Sequence, residues 1–444
     1  MIDMQTILIA GAGKSSTYLI DYLLKEALKN KWSVIVADGN ENAVIQRIKK
    51  HKAAIPIVTD LSSVSKRREL VKKADIVISM MPPHLHELFA SDCLMYKKHL
   101  ITASYVPPAI RAMDEEARKS GLMFMFEMGL DPGIDHMSAC EMIRGVRKVG
   151  GIITSFKSYC GGLIAPESDD NPWHYKITWN PRNVVNAGKA GAEYLLNGQK
   201  VQIPYVDIFR NPEFIDIERV GTFAGYPNRD SMSYIHQYDL EEVETFMRAT
   251  LRYPGFCKGW QAVIELGLTD GNDTTEPYRT YADWLKAKSG YTNGLSLKEH
   301  VSQKYKLEDS VISMLDWLGI FEEKPLPILN GNNASEEVML QLLMDKWKIK
   351  EEDKDLVVMH HEMVYTRKNV ETKVISSMAV IGEHGDYSAM AKTVGLPMAI
   401  LTTFILNGKI PIIPGVHIPN ISSIAKPVLR ELSKHGIQFT DKIL

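Results

Sequence analysis

Thr6–Leu24 reads TILIAGAGKSSTYLIDYLL. A short β-rich run, Thr6–Ala10, meets a glycine turn and then a segment with helical spacing, in which Tyr18, Leu19, Tyr22, Leu23 and Ala27 share one face. Gly11, Gly13 and Ser16 occupy the three positions of a GxGxxG turn. The first lets the chain turn sharply after the strand and the second lets a pyrophosphate approach the backbone. The third needs a small residue for close packing of helix on sheet, and Ser is small. The helix that follows offers its N-terminal N–H groups to phosphate, with Lys14, Ser15 and Ser16 as added donors. Asp38 closes the next strand about 20 residues on, where a carboxylate accepts from a ribose 2′-hydroxyl and repels a 2′-phosphate. The segment ADGN carries no Arg beside it, so NAD is expected ahead of NADP, with NADP possible.

Outward from this turn the pattern repeats. β-rich runs at Ser33–Ala37, Ile55–Val58, Asp75–Ser79, Leu100–Ala103 and Met123–Phe126 alternate with helical segments near 41–50, 61–73, 85–97 and 107–119. Six strands alternating with five helices predict an α/β fold, a doubly wound parallel sheet of Rossmann type, over residues 1–133. After Gly133 the rhythm changes. Residues 134–387 are expected to form an α+β domain for substrate binding or dimerisation, with a mixed or antiparallel sheet and a helical subdomain over about 240–324. Leu356–Tyr365 and Thr372–Ile381 flank the turn-like TRKNVE and predict a hairpin. The helical stretches from about 388 to 444 are expected to pack back on the first domain.

The chain has 444 residues and a mass of 50.0 kDa, enough for two or three domains at roughly 150 residues each. With 45% hydrophobic and 24% charged residues it is not a disordered, collagen-like or coiled-coil chain. A formal charge of -2 leaves no broad basic field, so no nucleic-acid partner is expected. Cys93, Cys140, Cys160 and Cys257 form no CxxC pair and suit reduced thiols in a cytoplasmic protein. The N-terminus lacks a basic region before its apolar run, and Pro397–Leu406 is too short to span a bilayer, so no membrane is expected.

Ligands of an open parallel sheet gather at the carboxyl ends of its strands. Those ends carry Ser79 and Met80, then Ala103, Ser104 and Tyr105, then Leu130 and Asp131. Tyr105 and Asp131 are candidates for substrate contact or proton handling; Asp131 is equally a turn residue before Pro132. Asp60 is placed near an adenine or as a helix N-cap. In the second domain Arg229 and Arg252 suit bidentate capture of carboxylates, although any single Arg is commonly a surface ion pair. Cys160 reads as an active-site thiol or, from spacing alone, a small buried hydrophobe. His84 and His86, just after a strand, suit helix capping or cofactor contact. His360 and His361 point to opposite faces, so no metal is expected.

Six motifs in order, TASY (102–105), GLDPGIDHM (129–137), SYCGGLIAPESDDNP (158–172), YPNRDS (226–231), TLRYPGF (250–256) and SAMAKTVGLP (388–397), resemble the saccharopine dehydrogenases of the glutamate-forming type. The likeness is to the saccharopine dehydrogenase half of the animal bifunctional lysine-degrading enzyme and to the fungal saccharopine reductases. The resemblance implies an oxidoreductase acting on a CH–NH group. L-Saccharopine, water and NAD(P) would give L-glutamate, 2-aminoadipate 6-semialdehyde and the reduced dinucleotide, with hydride leaving the lysine ε-carbon. It implies substrate contacts at Ser104, Tyr105, Asp131, Arg229, Thr250, Leu251 and Arg252. Cofactor contacts would fall at the glycine turn, Asp38, Asp60, Ser79, Met80, Ala103, Ser104, Leu130 and Asp131. Asp131, Cys160 and Tyr105 would line the reacting region. A homodimer is plausible. The chain departs from the family at Ile164, where Pro is usual, and around residues 174–179. Two other readings stay open: a related imine-reducing or amine-oxidising dehydrogenase, such as a carboxynorspermidine synthase or lysine 6-dehydrogenase, and a non-catalytic dinucleotide-binding regulator.

Overall fold

The computed structural model describes residues 4–273, 278–292, 294–327 and 334–444. In chain order the first elements are β1 (Thr6–Ala10), α1 (Thr17–Asn30), β2 (Ser33–Asp38), α2 (Glu41–Ile48), β3 (Ala54–Val58), α3 (Val64–Lys73), β4 (Ile76–Ser79), α4 (Pro83–Tyr96), β5 (His99–Thr102), α5 (Pro108–Arg111), α6 (Asp114–Lys119), β6 (Met123–Met125) and α7 (Ile134–Lys148). There follow β7 (Ile152–Ile164), α8 (Pro181–Val185), β8 (Ala192–Leu196), β9 (Gln199–Ile203), β10 (Glu213–Ile217), β11 (Gly221–Pro227), β12 (Arg229–Asp230), α9 (Ser233–Gln237), β13 (Thr245–Arg252) and α10 (Phe256–Glu265). Next come α11 (Tyr281–Ser289), α12 (Leu297–Tyr305), α13 (Asp309–Leu318), α14 (Ser335–Lys346), β14 (Asp355–Arg367), β15 (Val370–Ile381), α15 (Ala389–Leu406), β16 (Gly415–His417), α16 (Ser422–Ser433) and β17 (Thr440–Ile443).

The chain divides into two compact units, Met1–Ile152 with Met378–Thr440, and Ile153–Ser377 with Asp441–Leu444. The first unit holds a parallel sheet in the order β16-β6-β5-β4-β1-β2-β3. Its inner strands are continuous apolar runs because helices cover both faces. Pro56 sits in β3, the edge strand, where its missing N–H leaves no ladder bond unmade. The sheet has seven strands rather than the expected six, because Gly415–His417 pairs with β6. Helix α7, expected beyond the boundary at 133, belongs to this unit and packs on α16.

Helix α15 is longer than the apolar stretch read from the sequence. It is long and apolar enough to cross a membrane, yet 83% of it is buried in the protein, against α1 and α16. A buried ion pair fastens α3 to α4. Arg67 Nε donates to Asp92 Oδ2 at 2.7 Å with both side chains buried, and Arg67 Nη1 also reaches the Leu61 and Ser62 carbonyls. Arg68 Nε donates to the other Asp92 oxygen at 2.9 Å.

The second unit is built on a mixed sheet in the order β10-β11-β13-β7-β14-β15-β17, with β8, β9 and β12 branching from it. β13 runs parallel to β7 and antiparallel to β11. The expected hairpin forms between β14 and β15, and Lys368 and Asn369 turn it with φ of 49° and 62°. The expected helical region near 240–324 instead begins with a strand. Thr245–Arg252 pairs on both sides, and that pairing overrides its local ambiguity. Residues 274–277 and 293 of that region lie outside the described residues. Helices α10 to α14 bury an aromatic core that includes Trp173, Trp260, Trp284 and Trp347.

Candidate functional site

In the first unit the glycine turn is held from several sides. Gly11 has φ of 105°, and a Cβ there would lie 3.0 Å from the Met80 carbonyl oxygen, so only glycine fits. At Gly13 a Cβ would meet nothing within 4 Å, which leaves the backbone open to an approaching ligand. Ser16 Oγ and N both donate to the Gly13 carbonyl, at 2.7 and 3.0 Å, and Lys14–Ser16 forms a single 3₁₀ turn before α1. Asp38 Oδ2 accepts from Ala12 N at 2.7 Å and Oδ1 from Asn40 N at 2.8 Å. The carboxylate therefore stands at the turn with its orientation fixed. Arg47, the next basic residue after Asp38 in the chain, is buried and donates from Nη1 to Asp386 Oδ2 at 2.6 Å. This open glycine turn with a fixed acid beside it fits a dinucleotide.

Asp60 is not the N-cap. It is exposed and accepts from Ser62 N and Oγ in a local turn, and Ser63 holds the cap position of α3. Those bonds hold its carboxyl below the usual range.

Ser79 and Ser104, at the ends of β4 and β5, are joined by a residue read from the sequence only as a cap or cofactor contact. His86 Nδ1 lies 2.9 Å from Ser79 Oγ, and its Nε2 lies 2.7 Å from Ser104 Oγ. Burial, with His84 adding to it, holds the imidazole down at about 4 from its ordinary 6.5. A neutral ring donates through one nitrogen and accepts through the other, so it fixes both hydroxyl directions. The unfolded chain takes this proton more readily than the folded one. Stability is therefore lost as pH falls from about 6.5 towards about 4. His86→Gln is expected to flatten that part of the dependence, measured as the urea midpoint at neutral pH and near pH 4.5; an unchanged slope would refute the assignment.

Leu130, Asp131 and Gly133 lie in a tight turn with a cis Asp131–Pro132 bond. Ile134 N donates to Gly129 O and Asp135 N to Leu130 O. Gly133 has φ of 148°, and a Cβ there would fall 2.1 Å from the Gly129 carbonyl oxygen. Ala103 and Tyr105 lie in the loop after β5. Beneath these loops Glu127, Asp135 and His136 form a buried polar group that no sequence spacing announced.

In the second unit Cys160 stands opposite Thr250 in the β7–β13 ladder, and Thr250 stands opposite Tyr226 in the β13–β11 ladder. Alternation then puts Cys160, Tyr226, Thr250 and Arg252 on one face of the sheet. Leu251 projects to the other face, into a cluster with Tyr159 and Leu163, so only its backbone serves the first face. Its carbonyl accepts from Arg252 Nη1 at 2.8 Å.

Arg252 is 4% exposed, and its Nε has no hydrogen-bond partner among the described residues. Its guanidinium lies 5.0 Å from the ring centre of Tyr175, 5.4 Å from that of Phe256 and 5.9 Å from that of Tyr226. Aromatic faces stabilise the charge only in part. A buried guanidinium that faces rings and, among the described residues, no carboxylate has the chemistry to receive an anionic group. Arg229, by contrast, is exposed, with φ of 49°, beyond the end of β11. All four cysteines, Cys93, Cys140, Cys160 and Cys257, are buried.

Two family models match the chain in sequence: the saccharopine dehydrogenase NADP binding domain over residues 7–125 and the saccharopine dehydrogenase C-terminal domain over residues 129–437. A saccharopine dehydrogenase [NADP(+), L-glutamate-forming] of Schizosaccharomyces pombe is 32% identical over 99% of this chain and 99% of its own length. The mitochondrial alpha-aminoadipic semialdehyde synthase of Bos taurus is 32% identical over 98% of this chain, which spans 47% of that longer protein. A solved apo saccharopine dehydrogenase (L-Glu forming) from Saccharomyces cerevisiae matches with a TM-score of 0.88 at 31% identity, over 99% of this chain and 100% of the other. The glycine turn with Asp38, the buried Arg252 guanidinium on the second sheet and these matches along nearly the whole length agree: the chain belongs to the saccharopine dehydrogenase family.

Proposed function

We propose that this protein interconverts L-saccharopine with L-glutamate and 2-aminoadipate 6-semialdehyde, using a nicotinamide dinucleotide, in lysine metabolism. The observation that carries this reading is Arg252, a buried guanidinium with an unpartnered Nε in an aromatic setting, since saccharopine presents three carboxylates. The names of the full-length fungal relatives support the same substrate.

The glycine turn, Asp38, Ser79, Met80, Ala103 and Leu130 would hold the dinucleotide, with Lys14 and Ser15 beside its phosphates. When bound, it supplies the acceptor for a hydride from the lysine ε-carbon. The chain's own residues do the rest. Arg252 and Arg229 bind carboxylates, with Thr250 and the Leu251 backbone beside them. Asp131 holds an ammonium and Tyr105 and Ser104 line the reacting amine; Cys160 stands on the Arg252 face of the second sheet. The secondary amine must give up its proton before the hydride leaves. Water then adds to the imine carbon and the C–N bond breaks, releasing glutamate and the semialdehyde. Asp131 and Tyr105 are the proton-handling groups of this reading. Steady-state oxidation of saccharopine, followed by the reduced dinucleotide, tests it. No turnover in either direction by protein that binds the dinucleotide would refute it.

The relatives support a nicotinamide dinucleotide as cofactor, and the fungal ones bear NADP(+) in their names. They do not support the preference for NAD expected from Asp38 and favour NADP instead. That preference is kept here as a physical proposal on two supports. The Asp38 carboxylate is fixed at the turn, and Arg47 is already paired with Asp386. Juxtaposed like charges are costly, and about 1.4 kcal/mol is tenfold. The ratio of kcat/KM for NAD over NADP is therefore expected to be at least about tenfold and to shrink in Asp38→Ser. A ratio below one would overturn it and align this chain with its fungal relatives. A homodimer in the cytoplasm completes the reading; light scattering of the purified chain tests the first part.

A further inference from the structure

Glu127, Asp135 and His136 are 3%, 1% and 0% exposed, and the chemistry proposed above uses none of them. Glu127 has φ of 55°, a left-handed conformation uncommon for a residue with a side chain, so its surroundings must hold it there. Its N donates to the Ser104 carbonyl at 3.0 Å, and its Oε1 accepts from Val106 N at 3.2 Å. Those two bonds bracket Tyr105. Its other oxygen, Oε2, lies 2.7 Å from His136 Nε2.

The connection continues past the imidazole. His136 Nδ1 lies 3.6 Å from Asp135 Oδ2, and Asp135 Oδ1 accepts from Gly133 N at 2.5 Å. A line of polar groups, hydrogen-bonded at every step except the 3.6 Å contact between His136 and Asp135, therefore runs under the sheet's carboxyl end from the amide of Val106 to the amide of Gly133. One end grips the loop that carries Tyr105 and the other the turn that carries Asp131. Buried ionisable groups are a costly way to fasten two loops, and what they give in return is a fixed geometry.

We propose that Glu127 and His136 are positioning residues that set Tyr105 and Asp131 at one spacing for the substrate amine. The inference rests on the function proposed above for its chemical meaning. Displacement of a reacting group by about 1 Å costs on the order of 10²-fold in rate. The glycine turn and Asp38, which would supply most of the dinucleotide's contacts, are bonded at β1 and β2 and stand apart from the brace.

The test uses the full chain with Glu127→Gln, which keeps the volume but offers Val106 a weaker, neutral acceptor, and with His136→Asn. Saccharopine turnover, dinucleotide affinity by fluorescence and amide exchange at Val106 and Gly133 are measured together. In both variants kcat is expected to fall at least about tenfold with dinucleotide affinity unchanged within about twofold. Amide exchange is expected to quicken at Val106 in Glu127→Gln and at Gly133 in His136→Asn. Folded variants with wild-type kcat would overturn the proposal. So would a loss of kcat matched by an equal loss of dinucleotide affinity, which marks a merely structural role. Unchanged exchange at both amides would overturn the brace whatever the substrate. Failure of the wild-type protein to turn over saccharopine is a separate result; it refutes the assigned reaction and leaves exchange to decide the brace. Should Glu127→Gln not fold, His136→Asn carries the same comparisons.

Discussion

Arg252→Met is expected to lower kcat/KM for saccharopine by about 10²-fold while the ligand-free protein becomes no less stable. The two halves of this expectation come from one observation. Removing a partner from a buried charge-assisted pair costs about 2–5 kcal/mol, and about 3 kcal/mol is roughly 10²-fold. In the ligand-free fold the guanidinium has rings about it and an unpartnered Nε. A methionine of similar reach removes a desolvated charge without stranding a counter-ion. The loss should fall on saccharopine and not on the dinucleotide, whose turn lies in the other unit. Saccharopine should also stop raising the melting temperature, as it must for any ligand bound to the native state alone. A variant that unfolds, or one with unaltered saccharopine kinetics, would remove Arg252 as the carboxylate receptor.

Asp92→Ala is expected to destabilise the first unit by about 3–5 kcal/mol. Arg67 is then left buried with its carboxylate gone, holding only the Leu61 and Ser62 carbonyls. Arg67→Met with Asp92→Leu should recover most of that loss, because the pair leaves together. Urea unfolding of the three proteins measures it. A single variant within about 1 kcal/mol of wild type would show that the interior tolerates the lone cation.

Much of the first unit was legible because its strands are buried on both faces and so read as unbroken apolar runs. The glycine turn and Asp38 were legible because their spacing is set by covalent geometry within one strand, turn and helix. The hairpin at Lys368–Asn369 showed for the same local reason. Thr245–Arg252 did not, since its strand state comes from partners far off in sequence. Strand β16 was missed likewise: three residues are too few to carry a period. The site was half legible. The motifs named Arg252 and Leu251 alike, and only the ladder shows that Leu251 turns its side chain away. Glu127 and His136 stand on different elements with no common spacing, so nothing short of the fold brings them together.

The nucleotide-binding unit is assembled from two stretches that flank the other unit in the chain. A ribosome therefore delivers six of its strands early and withholds the seventh, together with the apolar helix 389–406, until the intervening residues have emerged. The nascent sheet waits with one edge and one helix seat uncovered. Its completion waits until residues 389–417 have emerged, and chaperone protection of that surface is needed until then.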